Sequence, residues 1–174
     1  MVKAEKPVVR LSDLELKQTA KGRDYASASA RIGSALGLTR LGAGYAEVPP
    51  GKTFCPFHVH HEIDEMFVVL AGEGEYRFGD QRFKVAAGDV LGAPVGGQEL
   101  AHQLWNIGTE PLKYLMISSK SDVDICEYPD TGKFAASSTR GVRGGQRQFN
   151  HIGRSEQNLD YFDGDVSAKG TGEL

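Results

Sequence analysis

Between residues 38 and 128 the chain is interrupted every few residues by glycine, proline or aspartate, and no ten-residue window there carries helical periodicity. Nine segments, 41–48, 54–60, 65–71, 75–78, 81–85, 90–93, 101–107, 112–118 and 123–128, alternate or are rich in β-branched and aromatic residues. The first ends at Pro49-Pro50-Gly51, the third at Gly72-Glu73-Gly74, and Gly79-Asp80 sits where a hairpin turn belongs. Short strands at this spacing predict an all-β sandwich or barrel. The 22 glycines among 174 residues suit such a fold, since tight turns need backbone angles that only glycine adopts without strain.

Charge divides the chain. Residues 1–40 carry eight basic and four acidic side chains, residues 41–128 six and thirteen, and residues 129–174 six of each. An acidic central domain repels phosphate backbones, so no nucleic-acid partner is expected. The longest apolar run, 66–71, is far too short to cross a bilayer, and no membrane partner is expected. The first residues lack the apolar core of a secretory signal. Cys55 and Cys126 form neither a disulfide framework nor a paired zinc motif, which points to a reducing, cytoplasmic setting.

Residues 1–36 read as a basic arm, with capping-box spacing at Ser12 to Glu15 and a candidate edge strand over 24–31. Residues 129–174 read as an irregular extension that packs on the barrel or stays partly flexible. Within it Arg140, Arg143, Arg147 and Arg154 are interleaved with Gly141, Gly144 and Gly145, a composition suited to a flexible surface or to gripping an anion. The basic arm can embrace the acidic barrel of a second copy, so a homodimer is expected.

The chemistry concentrates in His58-Val59-His60-His61-Glu62-Ile63-Asp64-Glu65. On a strand, His58 and His60 share a face and aim two imidazoles at one point, while His61 points away. Two imidazoles and a carboxylate suit a divalent transition metal. Glu65, Glu62 and Asp64 are each within reach of that point. A later segment places His102, Leu104 and Asn106 on one face, offering a third imidazole. By the same alternation Cys55 falls on the face opposite His58 and reads as a buried apolar cysteine.

These two stretches resemble the paired motifs of the cupin superfamily. The first is carried by Gly51, His58, His60, Glu65 and Gly72, the second by Gly88, Pro94, Gly96, His102 and Asn106. Loops lengthen it in two places: six residues separate Gly51 from His58, and five separate Gly96 from His102. The resemblance implies a double-stranded β-helix, or jelly-roll, barrel over 37–128, flanked by the arm and the extension. It also implies that His58, His60, Glu65 and His102 hold one divalent transition metal per chain, with iron, manganese, nickel, cobalt and zinc all acceptable. The segments 128–133 and 160–165 resemble those that follow the barrel in small bacterial cupins and read as packing elements. Asp163-Gly164-Asp165 is too short for a calcium loop.

Phe67, Tyr76, Phe78, Asn106, Tyr114 and Met116 are expected to line the pocket around such a metal. The expected function is a metal-dependent reaction on a small oxygenated molecule, the metal acting as a Lewis acid, as in sugar or sugar-phosphate isomerases. A cupin dioxygenase and a non-catalytic module that binds a small ligand are the alternatives. Beyond the metal ligands no catalytic residue stands out, and Tyr76 and Glu75 are the nearest candidates to carry a proton.

Overall fold

The computed structural model describes residues 7–140 and 149–164. Arg143, Arg147 and the three glycines between 141 and 145 lie outside the described residues, as do Asp165 and the first six residues. Among the described residues there is no α-helix, and no helix is long and apolar enough to cross a membrane.

Thirteen strands make up the described fold: β1 (Lys17–Lys21), β2 (Tyr25–Arg31), β3 (Leu41–Val48), β4 (Val59–His60), β5 (Glu65–Ala71), β6 (Glu73–Phe78), β7 (Gln81–Ala86), β8 (Val90–Ala93), β9 (His102–Asn106), β10 (Leu112–Ser119), β11 (Val123–Tyr128), β12 (Lys133–Ser138) and β13 (Phe149–Arg154). Four of the expected strands coincide with β3, β5, β8 and β11, and four differ by at most two residues at an end. The exception is 54–60, of which only Val59–His60 pairs as a strand.

A six-stranded antiparallel sheet runs β1-β2-β3-β10-β5-β8, and a three-stranded one runs β7-β6-β9. Apolar residues at alternate positions of these strands close on each other: Ala46 and Val48, Phe67 and Val69, Leu91 and Ala93, Leu112 and Tyr114 from the larger sheet, with Tyr76, Val85 and Leu104 from the smaller. Each buried valine, leucine or phenylalanine among them contributes about 1.5–3 kcal/mol by leaving water. A third sheet, β13-β12-β11-β4, lies at the edge that carries the histidines.

Hydrogen bonding runs across both expected domain boundaries. β2 pairs with β3 through Ala28 to Arg31, and β12 pairs with β11 along its whole length. The candidate edge strand therefore lies inside the sheet, and β1, exposed at all five residues, forms the edge. The capping-box segment makes only a three-residue 3-10 turn over Leu11–Asp13, without a side-chain cap.

Gly72 shows why the turns need glycine. Its φ is +83°, and a Cβ there would lie 2.7 Å from the Pro111 carbonyl oxygen. Asn106 closes the barrel by other means. Its Nδ2 donates to the Val48 and Glu110 carbonyls at 2.8 Å each, and its Oδ1 accepts from the Gly108 N–H at 2.9 Å. The amide is thus spent on three backbone groups and lies 1% exposed, in the core and not on a ligand pocket. Asn106→Ala should cost about 1–3 kcal/mol in urea unfolding, because it strands buried backbone groups, while metal content per chain stays unchanged.

Candidate metal centre and its cleft

β4 is only two residues long because the chain before it bends at Phe54, Cys55 and Phe57 and makes only isolated bridges at Thr53 and His58. Thr53 Oγ1 donates to the Cys55 and Leu104 carbonyls, and His58 makes a two-way backbone bridge with His102. His58 therefore sits against β9, while His60 sits against β11, where Cys126 is its cross-strand partner. The ring centroids of His58 lie 5.1 Å from those of His60 and 4.4 Å from those of His102. Glu65 enters from the first residue of β5.

These four side chains converge. The Nε2 atoms of His102, His58 and His60 lie 3.1, 3.4 and 3.7 Å from one atom, Glu65 Oε2. His58 and His102 are buried, and His60 and Glu65 are partly so. Of the three candidate carboxylates only Glu65 arrives: Asp64 Oδ1 accepts the Val95 N–H at the surface, and Glu62 is exposed. His61 turns outward to Glu127, 2.7 Å away, as its place in the alternation predicts.

The opposite ring nitrogens decide what the cluster can hold. His58 Nδ1 is 2.8 Å from the Pro56 carbonyl, which can only accept, so Nδ1 carries a proton. His60 Nδ1 donates in the same way to Asp124 Oδ2 at 2.6 Å. In their neutral forms both rings thus turn a lone pair on Nε2 toward a carboxylate oxygen. Acceptors gathered so closely require positive charge among them, either a proton or a metal ion. The donor set of imidazoles plus carboxylate fits a divalent transition ion, and outward N–H bonds of this kind orient such ligands. His58, Glu65 and His102 form a cluster whose ligand atoms lie within 4.8 Å of one another.

Without a metal, a proton fills that role. Burial opposes charge on His58, but the Cys55 thiol and the Glu65 carboxylate outweigh it and raise its pKa to about 11. Burial likewise pushes the Glu65 carboxyl up, and hydrogen bonds to His102 and His58 outweigh it and hold the group well below the usual carboxylate range. His102 is shifted down, chiefly by burial, so it stays neutral. Its Nδ1 is buried without a hydrogen-bond partner, which assigns its proton to Nε2, facing Glu65.

The aromatic residues expected around the site divide. Phe67 and Tyr76 stand 5.6 and 6.3 Å from the His102 ring, and Phe67 also packs edge-on against the buried Tyr114. Tyr76 donates its hydroxyl to the Gly92 carbonyl, and burial, aided by the Glu65 charge, pushes its pKa far up, so the phenol is no ready acid. Phe78 packs half-buried against the core. Glu75 pairs with Arg82 at the surface. Met116 alone of the expected pocket residues lines the large cleft.

That cleft encloses about 1040 Å³ and opens onto Glu65, Phe54 and Met116. Its walls come from β1, β2, β3 and the end of β10. Lys17, Arg31 and Lys120 bring three positive charges to it, and Glu15 and Glu65 bring two negative ones. Gly42 and Gly44 leave its floor open: a Cβ on Gly44 would lie 2.9 Å from Met116 Cε.

Two residues near the histidines escape a reading of the motifs. Asp124 is buried, holds His60 through Oδ2 and accepts the Glu62 N–H through Oδ1 at 3.2 Å. Asp124→Ala should weaken metal binding about 10–100-fold, by isothermal titration, because it frees the His60 ring to rotate and lowers its basicity. Cys55 departs from its expected place on the opposite face. Its Sγ is 3.8 Å from His58 Nδ1, since residues 54–58 bend around Pro56 and strand parity does not apply.

A family model described as the cupin domain matches residues 44–118. An auxin-binding protein of Nicotiana tabacum is 31% identical over 136 residues, which cover 71% of this chain and 70% of that protein. Among solved structures, a candidate sugar phosphate isomerase of Acidithiobacillus ferrooxidans superposes with a TM-score of 0.74 at 23% identity, covering 91% of this chain and 98% of its own. A cupin-superfamily sugar phosphate isomerase of Silicibacter pomeroyi superposes with a TM-score of 0.73 at 20% identity, covering 90% and 98%.

Proposed function

This chain belongs to the cupin superfamily, and from that premise we propose that it is a metal-dependent, isomerase-like protein whose substrate is a small sugar phosphate. His58, His60, Glu65 and His102 would hold the metal. The observation that carries the reading is the junction of the two halves of the site. The Glu65 carboxylate, on which the three imidazoles converge, is also the inner wall of a cleft lined by Lys17, Arg31 and Lys120.

Each part has a task in that chemistry. The metal, when bound, supplies Lewis-acid polarisation of a carbonyl oxygen. Lys17, Arg31 and Lys120 bind the phosphate dianion and fix which end of the substrate points inward. Phe54 and Met116 form the apolar part of the wall and limit water beside Glu65. Glu65, ionised, would offset one of the two charges of a divalent ion, and the three cations of the cleft favour the orientation with the phosphate among them.

The test is a panel of aldose and ketose phosphates followed by NMR with metal-loaded protein. Interconversion that disappears in Glu65→Gln is the expected result. In Arg31→Glu, KM for the phosphorylated substrate should rise about tenfold or more, equivalent to roughly 1.4 kcal/mol, with metal content unchanged. Oxygen uptake in place of isomerisation would make the protein a dioxygenase. Saturable binding of small carboxylates without turnover would make it a ligand-binding module, the reading that the name of the tobacco relative supports.

We also propose a homodimer. Among the described residues β1 presents an unpaired edge, with all five of its residues exposed. Light scattering at physiological salt should give twice the 18.8 kDa chain mass, and a monodisperse monomer would overturn this.

A further inference from the structure

We propose that Cys126, together with His58 and His60, forms a second metal position, selective for thiophilic ions, that overlaps the four-residue cluster. Nothing in the isomerase-like reading uses Cys126, and the second position uses neither Glu65 nor His102.

The geometry comes from β11. Its residues alternate between exposed and buried, so Asp124 and Cys126 both face inward while Val123 and Ile125 face out. Cys126 lies directly across from His60 in the β11–β4 ladder, and Asp124 holds His60 by its Nδ1. The ligand atoms of His58, His60 and Cys126 all lie within 4.8 Å of one another. The group formed by His58, Glu65 and His102 lies within the same limit.

The three residues also share a space of their own. A cavity of about 160 Å³ is bounded by Cys55, His58, His60, Asp124, Cys126 and Tyr128, with neither Glu65 nor His102 in its wall. It has room for an ion and a few waters, given that one water occupies about 30 Å³. The two imidazoles thus stand between two spaces, a large cleft behind a carboxylate and a small cavity behind a thiol.

Ligand softness then sorts the ions. A carboxylate favours harder ions such as manganese, and a thiolate favours zinc, monovalent copper and cadmium. As the sulfur–metal bond forms, the Cys126 S–H bond breaks and its proton leaves to solvent; no electron is transferred. Because both positions draw on His58 and His60, occupation of one excludes the other. A thiophilic ion would therefore displace the catalytic one and silence the site.

Cadmium is the probe, added to the metal-free full chain and followed by ultraviolet difference absorption. One equivalent should produce a sulfur-to-cadmium charge-transfer band, and manganese none. The band should vanish in Cys126→Ser and persist in Cys55→Ser, Glu65→Gln and His102→Ala. Persistence in Glu65→Gln separates this position from the main cluster, and that reading needs no Cys126 variant to fold. No band in the wild type, a band that survives Cys126→Ser, or a band lost in both Glu65→Gln and His102→Ala would each overturn the proposal.

Discussion

Replacing Glu65 by glutamine should leave a folded chain that no longer retains manganese. After equilibration with manganese, which the Cys126 position does not take, elemental analysis of untagged protein should fall from about one manganese per chain to less than roughly a tenth, since removing a direct ligand costs more than the 10–100-fold typical of an outer partner. The physical reason lies in the convergence on Oε2. Three Nε2 atoms at 3.1–3.7 Å from one oxygen define a point where positive charge is favoured. The amide offers a neutral oxygen or a pair of N–H donors, and the donors would occupy the imidazole lone pairs that a metal needs. Glu65→Asp keeps the charge but withdraws the carboxylate by about one C–C bond, ~1.5 Å, and should retain metal only weakly. Near-UV circular dichroism should be unchanged in both, because the Glu65 backbone pairs with Ala93 and Ser118 whatever the side chain. A Glu65→Gln protein that keeps its full manganese would remove Glu65 from the ligand set.

The barrel and the histidine face were legible because both rest on alternation, a local property. His58 and His60 share a face through period two, and β3, β5, β8 and β11 each end at a proline or glycine turn. Where the chain stops being a strand, alternation no longer sets which face a side chain takes. Pro56 lacks an N–H to pair, residues 54–58 bend, and Cys55 ends beside the very histidine it was expected to avoid. Asp124 and Cys126 were missed because they reach the site from 64 and 66 positions beyond His60. A signal existed all the same: Val123-Asp124-Ile125-Cys126 puts a carboxylate and a thiol on the buried side of a strand, where apolar residues are the rule. The cationic cleft had no such signal. Lys17, Arg31 and Lys120 meet only because β1, β2, β3 and β10 are neighbours, an order that sequence spacing does not reveal.

Metal affinity should rise steeply with pH. In the metal-free chain His58 carries a proton, since its pKa lies at about 11, and a metal ligand must present a bare Nε2. Binding therefore releases that proton, and below pH 11 affinity gains about tenfold per pH unit from this group alone. His102 is already neutral and Glu65 already ionised near neutrality, so neither adds to the slope there. Between pH 6 and 8 the gain should be about a hundredfold, with titrations in buffers of differing ionisation enthalpy reporting close to one proton from His58 per ion. The metal-free fold responds with the opposite sign. A histidine raised in the folded state stabilises it fully below its unfolded pKa of about 6.5, and that contribution is lost as pH climbs toward the folded value. The metal-free melting temperature should thus lose ground above about pH 6.5 while the metal-induced increment grows. Glu65→Gln takes away the carboxylate that helps hold the His58 proton, so it should flatten the decline in the metal-free protein. An affinity independent of pH, or no proton released, would mean that no imidazolium guards the site and that His58 already faces Glu65 as a bare acceptor.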